Sequence, residues 1–240
     1  MPLLLVHGFP LDARMWRAQV AALGGAGEVL APDLPGHGRA SKVAPCRSMD
    51  EMARYLAGML DQRSIDAVDL GGLSMGGYVC FAFWRLYPKR VRRLALIDTR
   101  PGADSEPGRR GRDELAARVR EEGAQAAAQA MLDKMLTPAA PAGLRREVET
   151  WMLEQPREAL ATDLEAMKER PDSTPDLAGI AVPTLVLVGD GDEVTPPSVA
   201  REMADAIPGS RLAVIPGAAH LGPVQQPQAV NAALREHLSP

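Results

Sequence analysis

The chain has 240 residues, of which 46% are hydrophobic and 24% are charged, and its formal net charge is −4. This length suits one domain with room for an inserted subdomain, and this composition excludes a largely disordered chain. Because acidic and basic residues nearly balance, nothing points to nucleic acid or an anionic membrane as a partner.

Short apolar runs alternate with segments of helical periodicity in both parts of the chain that flank its middle third. Continuous apolar runs are typical of strands buried on both faces of a parallel sheet. The predicted strands are residues 3–6, 29–31, 67–71, 94–97, 184–188 and 212–215. This alternation predicts an α/β fold, with a mostly parallel central sheet flanked by helices.

The helices of this alternation have recognisable starts and stops. Asp12 is expected to cap the first helix, whose stripe of Trp16, Val20 and Leu23 would face the core. Two further helices are predicted over residues 48–60 and 75–87.

The pattern breaks between residues 99 and 176, where no strand-like run occurs. Four helices are predicted there, over residues 113–122, 124–136, 143–153 and 157–168. A helical block that interrupts a parallel alternation predicts an insertion over one end of the sheet, where the functional sites of such sheets lie. We therefore assign residues 1–100 and 176–240 to a core and residues 101–175 to an inserted helical cap or lid.

The strongest local motif is Gly72-x-Ser74-x-Gly76, between a predicted strand and a predicted helix. A serine at the tip of so tight a turn has strained dihedrals, and flanking glycines remove the Cβ atoms that would clash. The serine then lies at a helix N-terminus, where unpaired N–H groups stabilise developing negative charge. Ser74 is therefore the candidate nucleophile.

A serine hydroxyl needs a base, and the chain has four histidines. His220 follows the last predicted strand through a short loop of small residues, so it can reach a serine that follows another strand. His7 and His37 lie in Gly-rich loops that they are expected to order, and His237 is expected to be solvated. His220 is therefore the candidate general base.

Spacing alone does not decide which carboxylate orients the imidazole. Asp190, Asp192 and Glu193 follow the strand predicted over residues 184–188, and Asp98 follows the strand that ends at residue 97. Each of these groups lies at a strand end, so all four stay candidates on these grounds.

Five segments together resemble the α/β-hydrolase superfamily, in its small lidded branch of esterases, lactonases and related hydrolases. They occur in the family's order of nucleophile, acid and histidine, and they cover nearly the whole chain except the insertion. The segments are residues 7–10 (His-Gly-Phe-Pro), 33–41 (Asp-Leu-Pro-Gly-His-Gly-Arg-Ala-Ser), 72–77 (Gly-Leu-Ser-Met-Gly-Gly), 189–196 (Gly-Asp-Gly-Asp-Glu-Val-Thr-Pro) and 217–220 (Gly-Ala-Ala-His).

The resemblance implies roles for particular residues. Its Gly-x-x-Asp-x-x-x-Pro pattern puts the acid on Asp192, with Asp98 as the alternative that some members use. The backbone N–H groups of Phe9 and Met75 correspond to the two donors of the family's oxyanion hole.

The resemblance also implies a function, which is cleavage of small carboxylic esters through an acyl-enzyme on Ser74. A lactone hydrolase of the enol-lactonase type would use the same three side chains, so the motifs do not separate the two. A non-catalytic ligand receptor on a hydrolase scaffold is the alternative of another class, and the intact set of Ser74, Asp192 and His220 argues against it.

Trp16 and Trp151 are candidates for the substrate pocket. No cofactor is required, and the sequence has no Cys/His cluster of zinc spacing.

The expected location of the protein follows from two signals that the sequence lacks, a membrane span and a signal peptide. No apolar stretch approaches the roughly 20 residues of a membrane span, and the apolar run after Pro2 is too short for a signal-peptide core. Cys46 falls in a polar loop and Cys80 among apolar residues, so a disulfide is not implied. We expect a soluble, cytoplasmic protein without a membrane or nucleic-acid partner, and the sequence does not indicate its oligomeric state.

Family members usually have two or more strands before the His-Gly loop, whereas this sequence begins at that strand. We expect either a sheet without its usual first hairpin or a true start upstream of Met1. Either case leaves a sheet edge that must be covered or blunted.

Overall fold

The computed structural model describes residues 1–25 and 27–239. Within them, parallel strands form one six-stranded sheet of order β2-β1-β3-β4-β5-β6. The strands are β1 (Leu3–Val6), β2 (Val29–Leu30), β3 (Val68–Leu73), β4 (Val91–Ile97), β5 (Thr184–Gly189) and β6 (Arg211–Ile215). The predicted parallel α/β sheet is confirmed, and its edge strand β2 is short, as exposed edges often are.

Helices pack on both faces of this sheet. The helices are α1 (Arg17–Leu23), α2 (Met49–Gln62), α3 (Met75–Leu86), α4 (Glu106–Glu122), α5 (Ala124–Met135), α6 (Ala142–Leu153), α7 (Arg157–Lys168), α8 (Pro197–Ala206), α9 (Gly222–Gln225) and α10 (Pro227–Leu238). Alternate residues of β1 enter different buried clusters, Leu4 and Val6 with α2, α3 and α8, and Leu3 and Leu5 with α1 and α10. The strand is thus apolar on both faces, which explains its continuous run.

The predicted inner face of the first helix is partly wrong. Val20 is 37% exposed, whereas Gln19 is buried and its amide donates to Asn231 Oδ1 at 3.0 Å. Asp12 does act as a cap, but it caps a 3₁₀ turn over Ala13–Trp16 that precedes α1. The 3.6-residue period therefore does not hold across the junction.

The four predicted helices between β4 and β5 are present, and the first begins earlier than predicted. Helix α4 starts at Glu106 rather than at residue 113, because Ser105 caps it and accepts from Gly108 N–H at 3.4 Å. Pro107 lies in the first turn, where a missing N–H costs nothing. The sequence pattern thus underestimated a helix whose first turn contains proline and glycine.

Helices α4–α7 are called here the four-helix segment (residues 106–168), and the end of α5 contacts the chain that follows His220. Leu221 N–H donates to Met135 O at 2.9 Å, and Thr137 N–H donates to Gln225 Oε1 at 3.2 Å. The connection that follows α5 is therefore tied to the chain immediately after His220.

A buried ion pair joins the same segment to the loop after β2. Asp163 Oδ2 of α7 lies 3.1 Å from His37 Nε2, and both side chains are fully buried. Burial alone would lower the pKa of His37, but the charge of Asp163, its hydrogen bond to the ring and the Pro35 carbonyl together outweigh burial, and the pKa is raised. Such a pair contributes its full stability at pH values below the ordinary histidine pKa. This contribution is lost as the pH rises through the raised pKa of His37.

The turn between β3 and α3 has no room for side chains at its glycines. A Cβ on Gly72 would lie 2.3 Å from Gly76 O, and one on Gly76 would lie 2.2 Å from Val6 O. Ser74 between them has a φ of 54°, in the region that residues with a Cβ rarely adopt. Close packing of α3 against the sheet thus holds Ser74 in a strained conformation at the carboxyl end of β3.

Gly76→Ala is expected to destabilise the protein by about 2–4 kcal/mol, because its Cβ would overlap a backbone oxygen of β1. The matched control is Gly58→Ala in α2, where an added Cβ meets nothing within 4 Å. Alanine in that helix is expected to keep or raise the melting temperature. Thermal unfolding measures both variants, and equal melting temperatures would contradict this packing.

Asp163→Asn is expected to lower the melting temperature more at about pH 5.5, where His37 is charged, than at about pH 9. The control is Glu158→Gln, an exposed position on α7 with no ion pair among the described residues. Its effect should be small and the same at both pH values. A loss from Asp163→Asn that is larger at the higher pH would refute the charged pair.

Candidate active site

Three side chains from different strand ends meet at the carboxyl edge of the sheet. Ser74 Oγ lies 2.8 Å from His220 Nε2, and His220 Nδ1 lies 2.8 Å from Asp192 Oδ2. Ser74 is 9% exposed, Asp192 3% and His220 not at all. This arrangement lets the imidazole accept the serine proton while the carboxylate orients the ring.

Backbone contacts with β4 fix the serine. Ser74 N–H donates to Ile97 O at 2.9 Å, and the Thr99 hydroxyl donates to Ser74 O at 2.8 Å. Ser74 is also the N-cap of α3, so the first turn of that helix points its N–H groups towards the hydroxyl side of the turn. The serine therefore has little freedom apart from its own side-chain rotation.

The Asp192 carboxylate accepts hydrogen bonds at both oxygens. Oδ1 accepts from Val194 N–H at 2.8 Å and Thr195 N–H at 3.0 Å, and Oδ2 accepts from the Thr195 hydroxyl at 2.6 Å as well as from His220. Burial would raise the pKa of Asp192, but these hydrogen bonds outweigh burial and the pKa lies below its ordinary value. Asp192 is therefore ionised at neutral pH.

The other carboxylates at these strand ends do not reach the imidazole. Asp190 Oδ1 accepts from Gly217 N–H at 2.9 Å, and Glu193 is exposed. Asp98 is fully buried and accepts from Gly189 N–H at 2.8 Å. Among the four sequence candidates, Asp192 is the one that the fold brings to His220.

The end of β5 lies tightly against the loop that carries His220. A Cβ on Gly189 would lie 2.4 Å from Ala219 O, and Gly191 N–H donates to Ala218 O at 2.9 Å. The small residues before His220 thus allow two strand-end loops to touch. This contact sets the distance between Asp192 and His220.

The loop of residues 7–10 lies against the Ser74 turn. A Cβ on Gly8 would be 3.3 Å from Ser74 Cβ and 3.0 Å from Leu73 O. In the described ranges, neither Phe9 N–H nor Met75 N–H donates to a backbone carbonyl. Two such N–H groups beside a reactive serine can stabilise an oxyanion.

Histidines outside this site have other surroundings. His7 Nε2 accepts from Leu34 N–H at 3.0 Å, so it bridges two loops as expected, and burial followed by the charge of His37 lowers its pKa to about 4. The expectation that His237 is solvated is wrong. Its ring is partly buried, and burial together with nearby Arg211 lowers its pKa to about 4.

Trp16 and Trp151 belong to one buried apolar cluster, which also contains Leu73 and Leu221. Trp16 is fully buried and Trp151 is 5% exposed. Leu73 precedes the candidate nucleophile in sequence, and Leu221 follows the candidate base. The cluster therefore adjoins the site, with Trp16 contributed by the core and Trp151 by α6.

Across residues 1–25 and 27–239, no group of three or more His, Cys, Asp or Glu side chains is arranged to hold a metal ion. No helix in those ranges combines the length and the apolar character that crossing a membrane demands. Cys46 and Cys80 are both free thiols, and burial followed by the charge of Glu51 raises the pKa of Cys46 to about 11.

Solved hydrolase structures match the fold over nearly the whole chain. A thermophilic esterase from Thermogutta terrifontis, with malate bound, has a TM-score of 0.96 at 42% identity, covering 99% of this chain and 89% of that one. The enol-lactonase from Burkholderia xenovorans LB400 has a TM-score of 0.88 at 28% identity, covering 99% and 90%.

Sequence comparison gives the same family. The dihydrolipoyllysine-residue acetyltransferase component of the acetoin cleaving system of Pseudomonas putida is 31% identical over 98% of this chain, which spans 64% of that protein's length. The family model described as the alpha/beta hydrolase fold matches residues 1–227. The resemblance seen in the motifs is thus confirmed, and the chain belongs to the α/β-hydrolase family.

Proposed function

We propose that this protein is a serine hydrolase that cleaves small carboxylic esters through an acyl-enzyme on Ser74. His220 is the general base and Asp192 the acid that orients it. The observation that carries the proposal is the continuous chain of 2.8 Å contacts from Ser74 Oγ through the imidazole to Asp192 Oδ2. An ionised carboxylate at Nδ1 keeps the proton on that nitrogen, so Nε2 is the one that accepts from the serine.

The proposed reaction has two acyl-transfer steps. His220 takes the Ser74 proton as Oγ attacks the ester carbonyl, and then gives this proton to the leaving alcohol. A water molecule activated by His220 then hydrolyses the acyl-enzyme. The N–H groups of Phe9 and Met75 stabilise the oxyanion of each tetrahedral intermediate, and loss of one such donor typically costs about 3 kcal/mol.

We further propose that residues 101–175 form a cap over this site, carried by a core of residues 1–100 and 176–240. The proposal is supported by the bond from Leu221 N–H to Met135 O, next to the candidate base, and by the His37–Asp163 pair. In this proposal Trp151 of α6 lines the substrate pocket, and the fully buried Trp16 belongs to the apolar cluster that supports it. Substrate preference then depends on how the cap packs.

A lactone is the second candidate substrate, and the solved enol-lactonase with its 28% identity favours it. Opening a lactone uses the same three side chains, and the leaving alkoxide simply stays attached to the acyl group. A non-catalytic ligand receptor is the third candidate function. Such a receptor would not need a serine, an imidazole and a carboxylate joined by hydrogen bonds.

Ser74→Ala is expected to lower kcat for p-nitrophenyl esters by on the order of 10³ or more, because the nucleophile is removed. The matched control is Ser41→Ala, an exposed serine in the loop after β2, which should leave kcat unchanged. Initial rates with p-nitrophenyl acetate measure both. Turnover of Ser74→Ala at the wild-type rate would exclude an acyl-enzyme on this residue.

A panel of acyl esters and lactones of matched size tests the substrate class. We expect kcat/KM for short-chain esters to exceed that for lactones by about tenfold or more. Ser74→Ala serves as the blank for both series. A reversed ratio would make the lactone the preferred substrate without changing the assignment of the nucleophile.

A further inference from the structure

Asp98 is a fully buried carboxyl group that the proposed reaction does not use. It directly follows β4, and its φ of 43° lies in the region that residues with a Cβ rarely adopt. Its N–H donates to Leu187 O at 2.8 Å, which holds it beside the end of β5. A buried acid in a strained conformation at this edge of the sheet is costly and calls for a physical reason.

The two oxygens of Asp98 have different surroundings. Oδ1 accepts from Gly189 N–H at 2.8 Å. Oδ2 is buried, and within the described ranges it makes no hydrogen bond with a donor group. Gly222 lies against this oxygen, since a Cβ there would be 3.4 Å from it. Gly222 N–H, which acts to lower the pKa of Asp98, is the backbone donor beside it, and this single neutral donor offsets only part of the cost of burying an ionised oxygen.

Asp98 and Asp192 are held beside each other through Gly189, whose N–H donates to Asp98 Oδ1 at 2.8 Å and whose carbonyl accepts from Asp192 N–H at 3.2 Å. Two carboxylates in contact cannot both be ionised at low cost, so one of them keeps a proton. Asp192 is the ionised partner because His220, Val194 and Thr195 donate to it. Burial, followed by the charge of Asp192, holds the pKa of Asp98 well above its ordinary value.

We propose that Asp98 is a positioning residue that keeps its proton and donates a hydrogen bond through Oδ2 to the Asp192 carboxylate. The inference rests on the proposed role of Asp192 as the acid. The proton stays on Asp98 throughout the reaction. Its hydrogen bond holds the carboxylate in line with His220 Nδ1 and takes up part of its negative charge.

Asparagine is the matched substitute for a protonated aspartate. Its Oδ1 can accept from Gly189 N–H, and its Nδ2 can donate to Asp192 in place of the acid proton. Alanine keeps neither contact. Because asparagine cannot replace an ionised carboxylate, comparison of Asp98→Asn with Asp98→Ala reports the protonation state of Asp98.

The first test is thermal unfolding across pH, which does not depend on activity. In the unfolded chain an aspartate ionises near pH 3.8, so keeping Asp98 neutral costs stability that grows as pH rises above this value. The charged or titratable groups facing it are Asp192, from the loop after β5, and, through Asp192, His220. Asp98→Asn is therefore expected to melt about 2 °C or more above the wild type at about pH 8, with a smaller difference near pH 4.

Asp192→Asn is the contrasting control. The pKa of Asp192 is lowered, so its ionised form contributes stability above the ordinary value and loses it as pH falls. This variant should melt below the wild type at about pH 8. If Asp98→Asn also melts lower at that pH, Asp98 is ionised and the inference is wrong.

The second test is the pH profile of kcat/KM for an ester. Asp98→Asn is expected to stay within about threefold of the wild type, whereas Asp98→Ala should lose about tenfold or more in kcat with little change in KM. Without the donor, Asp192 binds the imidazolium more tightly, so the acid limb of Asp98→Ala should move to higher pH. The acid limb of Asp98→Asn should lie at the wild-type pH rather than at the higher pH of Asp98→Ala. A merely structural role of Asp98 would not predict this difference between the two variants.

These outcomes separate the inference from the proposed function. If Asp98→Asn is as inactive as Asp192→Asn, Asp98 acts as an ionised acid and the positioning role is refuted. If Ser74→Ala keeps the wild-type rate, the proposed function fails, while the melting temperatures still report whether Asp98 is protonated.

Discussion

Helix α3 approaches the sheet so closely that Gly72 and Gly76 have no space for a Cβ, and Ser74 takes a positive φ between them. Such a turn is stable only when the surrounding structure holds it, and the buried contacts of α3 with β1, β3 and β4 do so. The Ser74 hydroxyl consequently lies at the carboxyl edge of the sheet, where the loops that follow β5 and β6 begin. The arrangement of Ser74, His220 and Asp192 depends on this approach.

Side chains of the same type have different charge states in this protein because different hydrogen-bonding groups surround them. Asp192 accepts from His220 and from the turn of residues 193–195, and it is ionised. Asp98, the carboxyl group beside it, accepts from Gly189 and is inferred to stay neutral. His7 and His37 differ in the same way, because a backbone N–H donates to the first and a carboxylate faces the second. Burial makes each of these differences larger, since unpaired charge is costly away from water.

The sheet and the serine turn were predictable because their signals are local. Apolar runs such as residues 184–188 identify buried strands, and glycines two residues either side of Ser74 identify the turn. Asp192 was not separable from Asp190 or Glu193 by spacing, since all three follow one strand within four residues. Which of them meets His220 depends on how the loops after β5 and β6 touch.

Other features needed contacts between distant parts of the chain. Gln19 faces inward because Asn231 offers it a partner, and no pattern near Gln19 indicates this. The pairs His37–Asp163 and Asp98–Asp192 join residues more than ninety positions apart. Periodicity and motif spacing describe neighbours along the chain, so they carry no information on such pairs.

The most direct measurement of the central claim is a crystal structure of the enzyme after reaction with a fluorophosphonate. We predict a covalent bond from Ser74 Oγ to phosphorus, with His220 still hydrogen-bonded to Asp192. The phosphonyl oxygen should lie about 2.7–3.1 Å from the backbone nitrogens of Phe9 and Met75. An adduct on another residue, or no adduct with Ser74 accessible and His220 in place, would contradict the claim that this turn carries an activated nucleophile.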